Sequence, residues 1–319
     1  MSSITVYRGT PSGRVQEGTL PWPGPPKAQQ VTVRITHSGL CGTDEHYKRQ
    51  DMVLGHEGVG IVESIGSSVM TLKVCLSCEY CDQGQELYCE QRQFYGFDEF
   101  DQGSFATYAT WDEHFVFRIP DSIPSAEAAP LMCAGAAVYS ALRSAQVQWY
   151  HRVGVLGLGG LGHLAVQYAA KMGCHVTVYS HSSGKEKAAR KLGASDFQVM
   201  GDSSPPSRAV DCLLLTGAQQ PNWSQALPLV RRGGAITAVT VDSSELRCPY
   251  GEILMNAIRI QGSLPAAPNV QREMLSFSAL HAINPVIETF PFTESGINEA
   301  MEKLRQGKMR YRGVLSMEG

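Results

Sequence analysis

The chain lacks any run of 18 apolar residues, any block of like charge, any tandem repeat and any low-complexity tract. The first absence removes a membrane-spanning helix from consideration. Twenty-seven Lys and Arg against thirty Asp and Glu leave a formal charge of -3, so neither nucleic acid nor a membrane surface is expected as a partner. The opening MSSITVYRGTPSGR carries no apolar stretch behind its basic residue and the closing LSMEG is no recognised address, so a cytoplasmic protein is expected. Nine cysteines, an odd number without an export signal, read as thiols and metal ligands in a reducing compartment. What the chain does have is core: 319 residues, 43% hydrophobic and 18% charged, suit about two globular domains.

Four of the cysteines, Cys75, Cys78, Cys81 and Cys89, follow the spacing C-x2-C-x2-C-x7-C. One short loop with that spacing can wrap four thiolates around a tetrahedral ion. Soft thiolates favour zinc over magnesium or calcium, and four of them leave no open coordination position, which predicts a structural zinc lobe over 75–89. The alternative, two disulfides in an exported chain, lacks the export signal.

The first third of the chain carries short β-type runs, Val31 to Ile35, Val59 to Ile65 and Phe115 to Ile119, punctuated by Gly and Pro. From about Ala134 the texture becomes strands alternating with helical patterns, which predicts βαβ units and a parallel sheet. Within that region Gly157-Leu158-Gly159-Gly160-Leu161-Gly162 matches G-x-G-x-x-G directly after an apolar strand and opens an amphipathic helix. Gly157 allows the tight turn, Gly159 lets backbone approach a pyrophosphate, Gly162 permits close helix packing, and the helix N-terminus offers amide donors. A dinucleotide site is expected there.

At the end of the next strand, where an NAD site would carry Asp or Glu against the ribose hydroxyls, the chain reads Ser180-His181-Ser182-Ser183-Gly184-Lys185. Hydroxyls and a lysine suit a 2′-phosphate that a carboxylate would repel, which favours NADP(H). The alternative is a polar turn leading into the solvated helix face of Lys185, Lys187, Arg190 and Lys191.

Cys41 stands in G-L-C-G-T-D, His56 and Glu57 in G-H-E-G-V-G followed by Gly66 and Val69, and Cys133 in P-L-M-C-A-G-A-A-V-Y-S-A-L. Together with the cysteine lobe and the glycine fingerprint, and through M-R-Y-R-G-V-L at 309–315, the chain resembles the zinc-dependent medium-chain alcohol dehydrogenases, in their cinnamyl-alcohol-dehydrogenase-like branch. The resemblance implies an α/β fold of two domains: a GroES-like β-rich catalytic domain from residues 1–132 and 266–319, and a doubly wound Rossmann domain from 133–265. It implies a catalytic zinc on Cys41, His56 and Cys133, with Glu57 a transient ligand, and so two zinc ions per chain. It implies Thr43 as proton donor, His46 as the relay to solvent and Asp44 as the carboxylate that orients His56; without the family, Thr43 and Asp44 read as helix capping. The remaining histidines, His37, His114, His151, His163, His175, His181 and His281, read as surface groups, and Cys174, Cys212 and Cys248 as inert filling.

The activity implied is reduction of an aldehyde, or oxidation of an alcohol, by hydride transfer with NADP(H), in a homodimer joined by the last strand of the nucleotide sheet. Two alternatives are a reductase of an activated C=C or C=N bond and a non-catalytic remnant that binds zinc and dinucleotide. Two departures from the family stand out. Val74 runs straight into Cys75, where relatives insert a Gly-Asp-Arg-Val strand and a loop, so one strand of the first domain is expected to be missing; and Ala137 replaces a threonine often found near the nicotinamide.

Overall fold

The computed structural model describes residues 2–27, 29–65, 74–75, 77–201 and 209–317. The chain divides into two compact units, Met1–Cys133 with Ala267–Leu280 and Asn284–Gly319, and Ala134–Ala266 with His281–Ile283. Strands are numbered β1 to β13 along the chain.

In the first unit β1 (Ser3–Arg8) and β2 (Gln16–Pro21) form an antiparallel pair. A second sheet has the order β12 (Ile287–Pro291), β13 (Arg312–Ser316), β3 (Gln30–Leu40), β4 (Glu57–Ile65), with β5 (Tyr108–Asp112) also on β3. Long and almost wholly buried, β3 is flanked by β4 along its length, with β5 and then β13 on its other side. Its side chains Val33, Ile35 and Leu40 pack with Met52, Leu54, Phe105, Ile297 and Leu315 in one apolar core. The antiparallel register sets Gly39 opposite Glu57 and Leu40 opposite Gly313. The end of β3 and the starts of β4 and β13 therefore meet at one end of the sheet, although they lie far apart in sequence.

The second unit holds β6 (Arg152–Leu156), β7 (His175–Ser180), β8 (Asp196–Val199), β9 (Val210–Leu215), β10 (Val230–Ala238) and β11 (Arg259–Gly262). All pair in parallel in the order β11-β10-β9-β6-β7-β8. The order reverses between β6 and β9, the switch point of a doubly wound sheet, and past their first residues these central strands are largely apolar and buried, as in parallel sheets covered on both faces.

Three expectations need correction or restriction. Phe115 to Ile119 is no strand: Asp112 accepts from the His114 amide at 3.0 Å and closes a 3-10 turn over Glu113–Phe115, while the strand pairing with β3 lies upstream at Tyr108–Asp112. His37 and His163 are buried, 5% and 0% exposed, because one sits in central β3 and the other in the first turn of the helix packed behind the glycine loop. Gly66 and Val69, and the stretch before Val74 where a strand is expected to be missing, lie outside the described residues; among those described, β4 pairs with β3 alone. No helix among the described residues is long and apolar enough to cross a membrane.

Candidate active site

The lobe cysteines converge. One ligand atom from each of Cys75, Cys78, Cys81 and Cys89 lies within 4.8 Å of the others. Sulfur to sulfur distances of 3.6 Å for Cys78–Cys81 and for Cys75–Cys89 are too long for disulfides, and all four thiols are free. The Ser77 amide and the neighbouring thiols bring Cys75 down to about 6, which favours the thiolate a metal takes. Val74 is buried against Cys81 and Cys89 and gives the lobe its small apolar base.

A second cluster forms at the meeting point of β3, β4 and β13. Cys41 follows β3 and caps the helix Gly42–Tyr47, His56 precedes β4, and Glu57 opens it. Cys133 comes from elsewhere, a π-helical turn over Leu131–Gly135 that follows the helix Ser125–Pro130. Pro130 has no amide to give and its ring crowds the preceding turn, so the regular ladder is interrupted where Cys133 must be presented. Ligand atoms of Cys41, His56, Glu57 and Cys133 lie within 4.8 Å of one another.

Asp44 orients this cluster. Fully buried, it accepts from the Cys41 amide at 2.9 Å and from His56 Nδ1 at 3.1 Å. Helix capping and orientation of His56 are thus one role carried by two oxygens. With Nδ1–H committed to Asp44, Nε2 is the nitrogen left for a metal; it is buried and has no hydrogen-bond partner among the described residues, as is true of Glu57 Oε2. An orphaned imidazole nitrogen beside two thiols and a carboxylate is a donor set that fits zinc. Burial works against the charge on His56, yet Asp44 holds its imidazole well above the ordinary value. Its hydrogen bond with Cys133 puts Cys41 well below the ordinary thiol value, and the same bond, with burial, raises Cys133.

Arg312, at the start of β13, pairs with Glu57 Oε1 in the buried interior. Burial raises Glu57 to about 7 even with the guanidinium opposing that rise. Two thiolates, the Glu57 carboxylate, one guanidinium and a divalent ion would sum to zero, which leaves the buried Asp44 carboxylate to be met by its own hydrogen-bond donors. The sequence reading missed Arg312; its only signal was a cation set into an apolar C-terminal strand, R-G-V-L-S.

Thr43 is the second residue of the helix that Cys41 caps, its Oγ1 3.8 Å from Cys41 Sγ, and His46 is exposed three residues on. In the second unit Gly157 has φ +102, and a Cβ there would stand 2.9 Å from the Gly217 amide nitrogen. A Cβ on Gly162 would run into the Gly157 carbonyl, whereas nothing lies within 4 Å of one on Gly159, so backbone is open to a ligand there. Gly160 and Leu161 complete the loop, and Leu161 gives the helix Gly162–Lys171 no side-chain cap, while the His163 and Leu164 amides donate to the Gly159 and Leu161 carbonyls at 3.0 and 3.1 Å. Ser180 is buried at the end of β7, His181 and Ser182 are exposed, and Lys185 Nζ donates to the Leu158 carbonyl at 3.0 Å, beside the glycine loop.

Residues 27–121 match the family described as Alcohol dehydrogenase GroES-like domain, and residues 160–279 the family described as Zinc-binding dehydrogenase. An alcohol dehydrogenase of Geobacillus stearothermophilus is 32% identical over 316 residues, covering 91% of this chain and 92% of its own. The chain belongs to the zinc-dependent medium-chain alcohol dehydrogenases. Within that family a mannitol dehydrogenase of Petroselinum crispum is 35% identical, over 90% of this chain and 93% of its own. The solved structure of a cinnamyl alcohol dehydrogenase from Sorghum bicolor superposes with a TM-score of 0.90 at 29% identity, covering 99% and 98% of the two chains. These likenesses belong to the cinnamyl-alcohol-dehydrogenase-like branch of the zinc-dependent dehydrogenases.

Proposed function

We propose that the chain is an NADPH-preferring aldehyde reductase and alcohol dehydrogenase whose catalytic zinc is held by Cys41, His56 and Cys133. The observation that carries the reading is the orphaned His56 Nε2, buried among the Cys41, Cys133 and Glu57 ligand atoms. A zinc ion there supplies Lewis-acid polarisation of a carbonyl oxygen, and the reduced nicotinamide supplies the hydride. The chain's own residues do the rest. Asp44 fixes the His56 tautomer, and Arg312 keeps the Glu57 carboxylate in place as a further ligand. Thr43 Oγ1 gives a proton to the substrate oxygen as charge develops on it, and the exposed His46, one helical turn away, restores that proton from water. The lobe cysteines hold a second zinc with no open position, which serves structure.

Lys185 and the hydroxyls of Ser180 and Ser182, with no carboxylate at the end of β7, support NADP(H) over NAD(H). Pairing of two copies along β11 is supported by its place at the sheet edge and by Tyr250, Leu254 and Met255, exposed by 76%, 64% and 80% on the helix before it. Light scattering should then report twice the 34.7 kDa chain mass. Nine free thiols suit the cytoplasm.

Metal analysis should return two zinc ions per chain, with NADPH consumed on aldehydes. Cys133→Ser should cut turnover by about 10³-fold or more while leaving dinucleotide affinity unchanged. Undiminished activity in that variant would overturn the zinc role, and tight NADPH binding with no turnover on any aldehyde would make the chain a remnant. Lys185→Asp should weaken NADPH by roughly 10- to 100-fold and NADH little; equal losses would mean that no phosphate is read here.

A further inference from the structure

Tyr95 belongs to no motif and to neither ligand set, yet it meets the buried cluster through two separate contacts. Its hydroxyl donates to Asp44 Oδ1 at 2.9 Å. Its ring lies against the His56 imidazole, with centroids 4.9 Å apart and planes inclined at 40°. Asp44 Oδ2 takes the Cys41 amide at 2.9 Å, while Oδ1 takes the Gly55 amide and His56 Nδ1, each at 3.1 Å, besides the tyrosine. Three of these donors come from residues 41–56, the segment that carries the ligands Cys41 and His56. Among the described residues, the Tyr95 hydroxyl alone reaches the carboxylate from another part of the chain, and so ties that segment to something outside itself.

The tyrosine is held firmly enough to do this. Phe94 N–H donates to Asp98 Oδ2 at 2.8 Å and closes the turn that presents it. Gly96 follows with φ +86, and the Tyr47 ring fills the place its Cβ would take, so this position requires glycine. The same Tyr47 ring meets Tyr95 edge-on at 5.8 Å. Downstream, Val53 N–H donates to the Phe100 carbonyl at 2.7 Å and anchors the turn three residues before His56.

We propose that Tyr95 is a positioning residue for the metal ligand His56: its hydroxyl sets the rotation of the Asp44 carboxylate, and its ring supports the imidazole face, so that Nε2 stays aimed at Cys41 and Cys133. The proposal rests on the reading of that cluster as a metal site. Hydrogen-bonded partners of metal-ligating histidines fix ring orientation and tautomer, and removing them weakens metal binding by about 10- to 100-fold. Tyr95→Phe keeps the ring and the packing and removes only the hydroxyl.

The test uses full-length protein loaded with zinc, and in parallel with cobalt(II), and reads the rate at which each of the two ions passes to a chelator. In Tyr95→Phe the ion of the buried cluster should leave roughly 10-fold faster, with its cobalt absorption bands displaced, while release from the lobe and the thermal midpoint stay as in the wild type. A purely structural tyrosine would move the midpoint and not the cobalt bands. Wild-type release with unaltered bands in a two-ion protein overturns the Tyr95 assignment alone. A wild-type protein that holds only the lobe ion overturns the metal reading of the cluster, and the assignment with it.

Discussion

The two four-ligand clusters of the first unit are built in opposite ways. The lobe gathers its thiols from one loop, Cys75 to Cys89, with Cys75 and Cys78 half-exposed and little but Val74 beneath it. The buried cluster draws ligands from positions 41 to 133, places them where three strands meet, and surrounds them with Asp44, Tyr95 and Arg312. A closed thiolate site near the surface can settle its charge with an ion and a backbone amide. An open site in the interior must keep one position free for substrate, so its charge balance and ligand orientation have to be supplied by other residues.

Cutting one lobe ligand should have the largest effect. Cys81→Ser is expected to lose one zinc per chain and on the order of 5 kcal/mol of stability, since metal affinity in a structural site is folding free energy. Metal analysis with urea denaturation checks both, and the contrast breaks if the buried cluster loses its ion as well. Arg312→Met comes next. Leaving the Glu57 carboxylate buried without its counter-ion should cost about 3 kcal/mol in metal-free protein at alkaline pH, read by denaturation. That penalty should shrink with acid, because Glu57, already raised to about 7, then takes up a proton and needs no partner.

The mildest effect is a titration. Cys75 is lowered to about 6 in the folded chain, so the thiolate that binds metal persists above that value and is lost as pH falls through it. In metal-free protein a thiolate should appear in the ultraviolet absorbance around pH 6, with Cys75→Ala removing that step; a first midpoint well above 6 would mean that the Ser77 amide does not hold the thiolate.

How much could be read in advance follows the same division. The glycine loop was legible because G-x-G-x-x-G, the strand before it and the helix after it lie within one short stretch. The strand expected at Phe115 to Ile119 failed because a single Asp112 side chain captured the His114 amide and bent the backbone. His37 read as a surface group because nothing local shows that β3 has neighbours on both sides. Arg312 and Tyr95 were silent, since each acquires its role only from a partner, Glu57 or Asp44, reached across the sheet or through a loop.

Local spacing by itself therefore decided the lobe and the dinucleotide loop, where the reach of a few residues of backbone is the whole constraint. Tertiary structure alone decided the rest: the register that sets Gly39 against Glu57 and Leu40 against Gly313, and with it which cation neutralises the buried carboxylate. Long-range strand pairing is settled by packing across the whole core, and no short window of sequence carries that information.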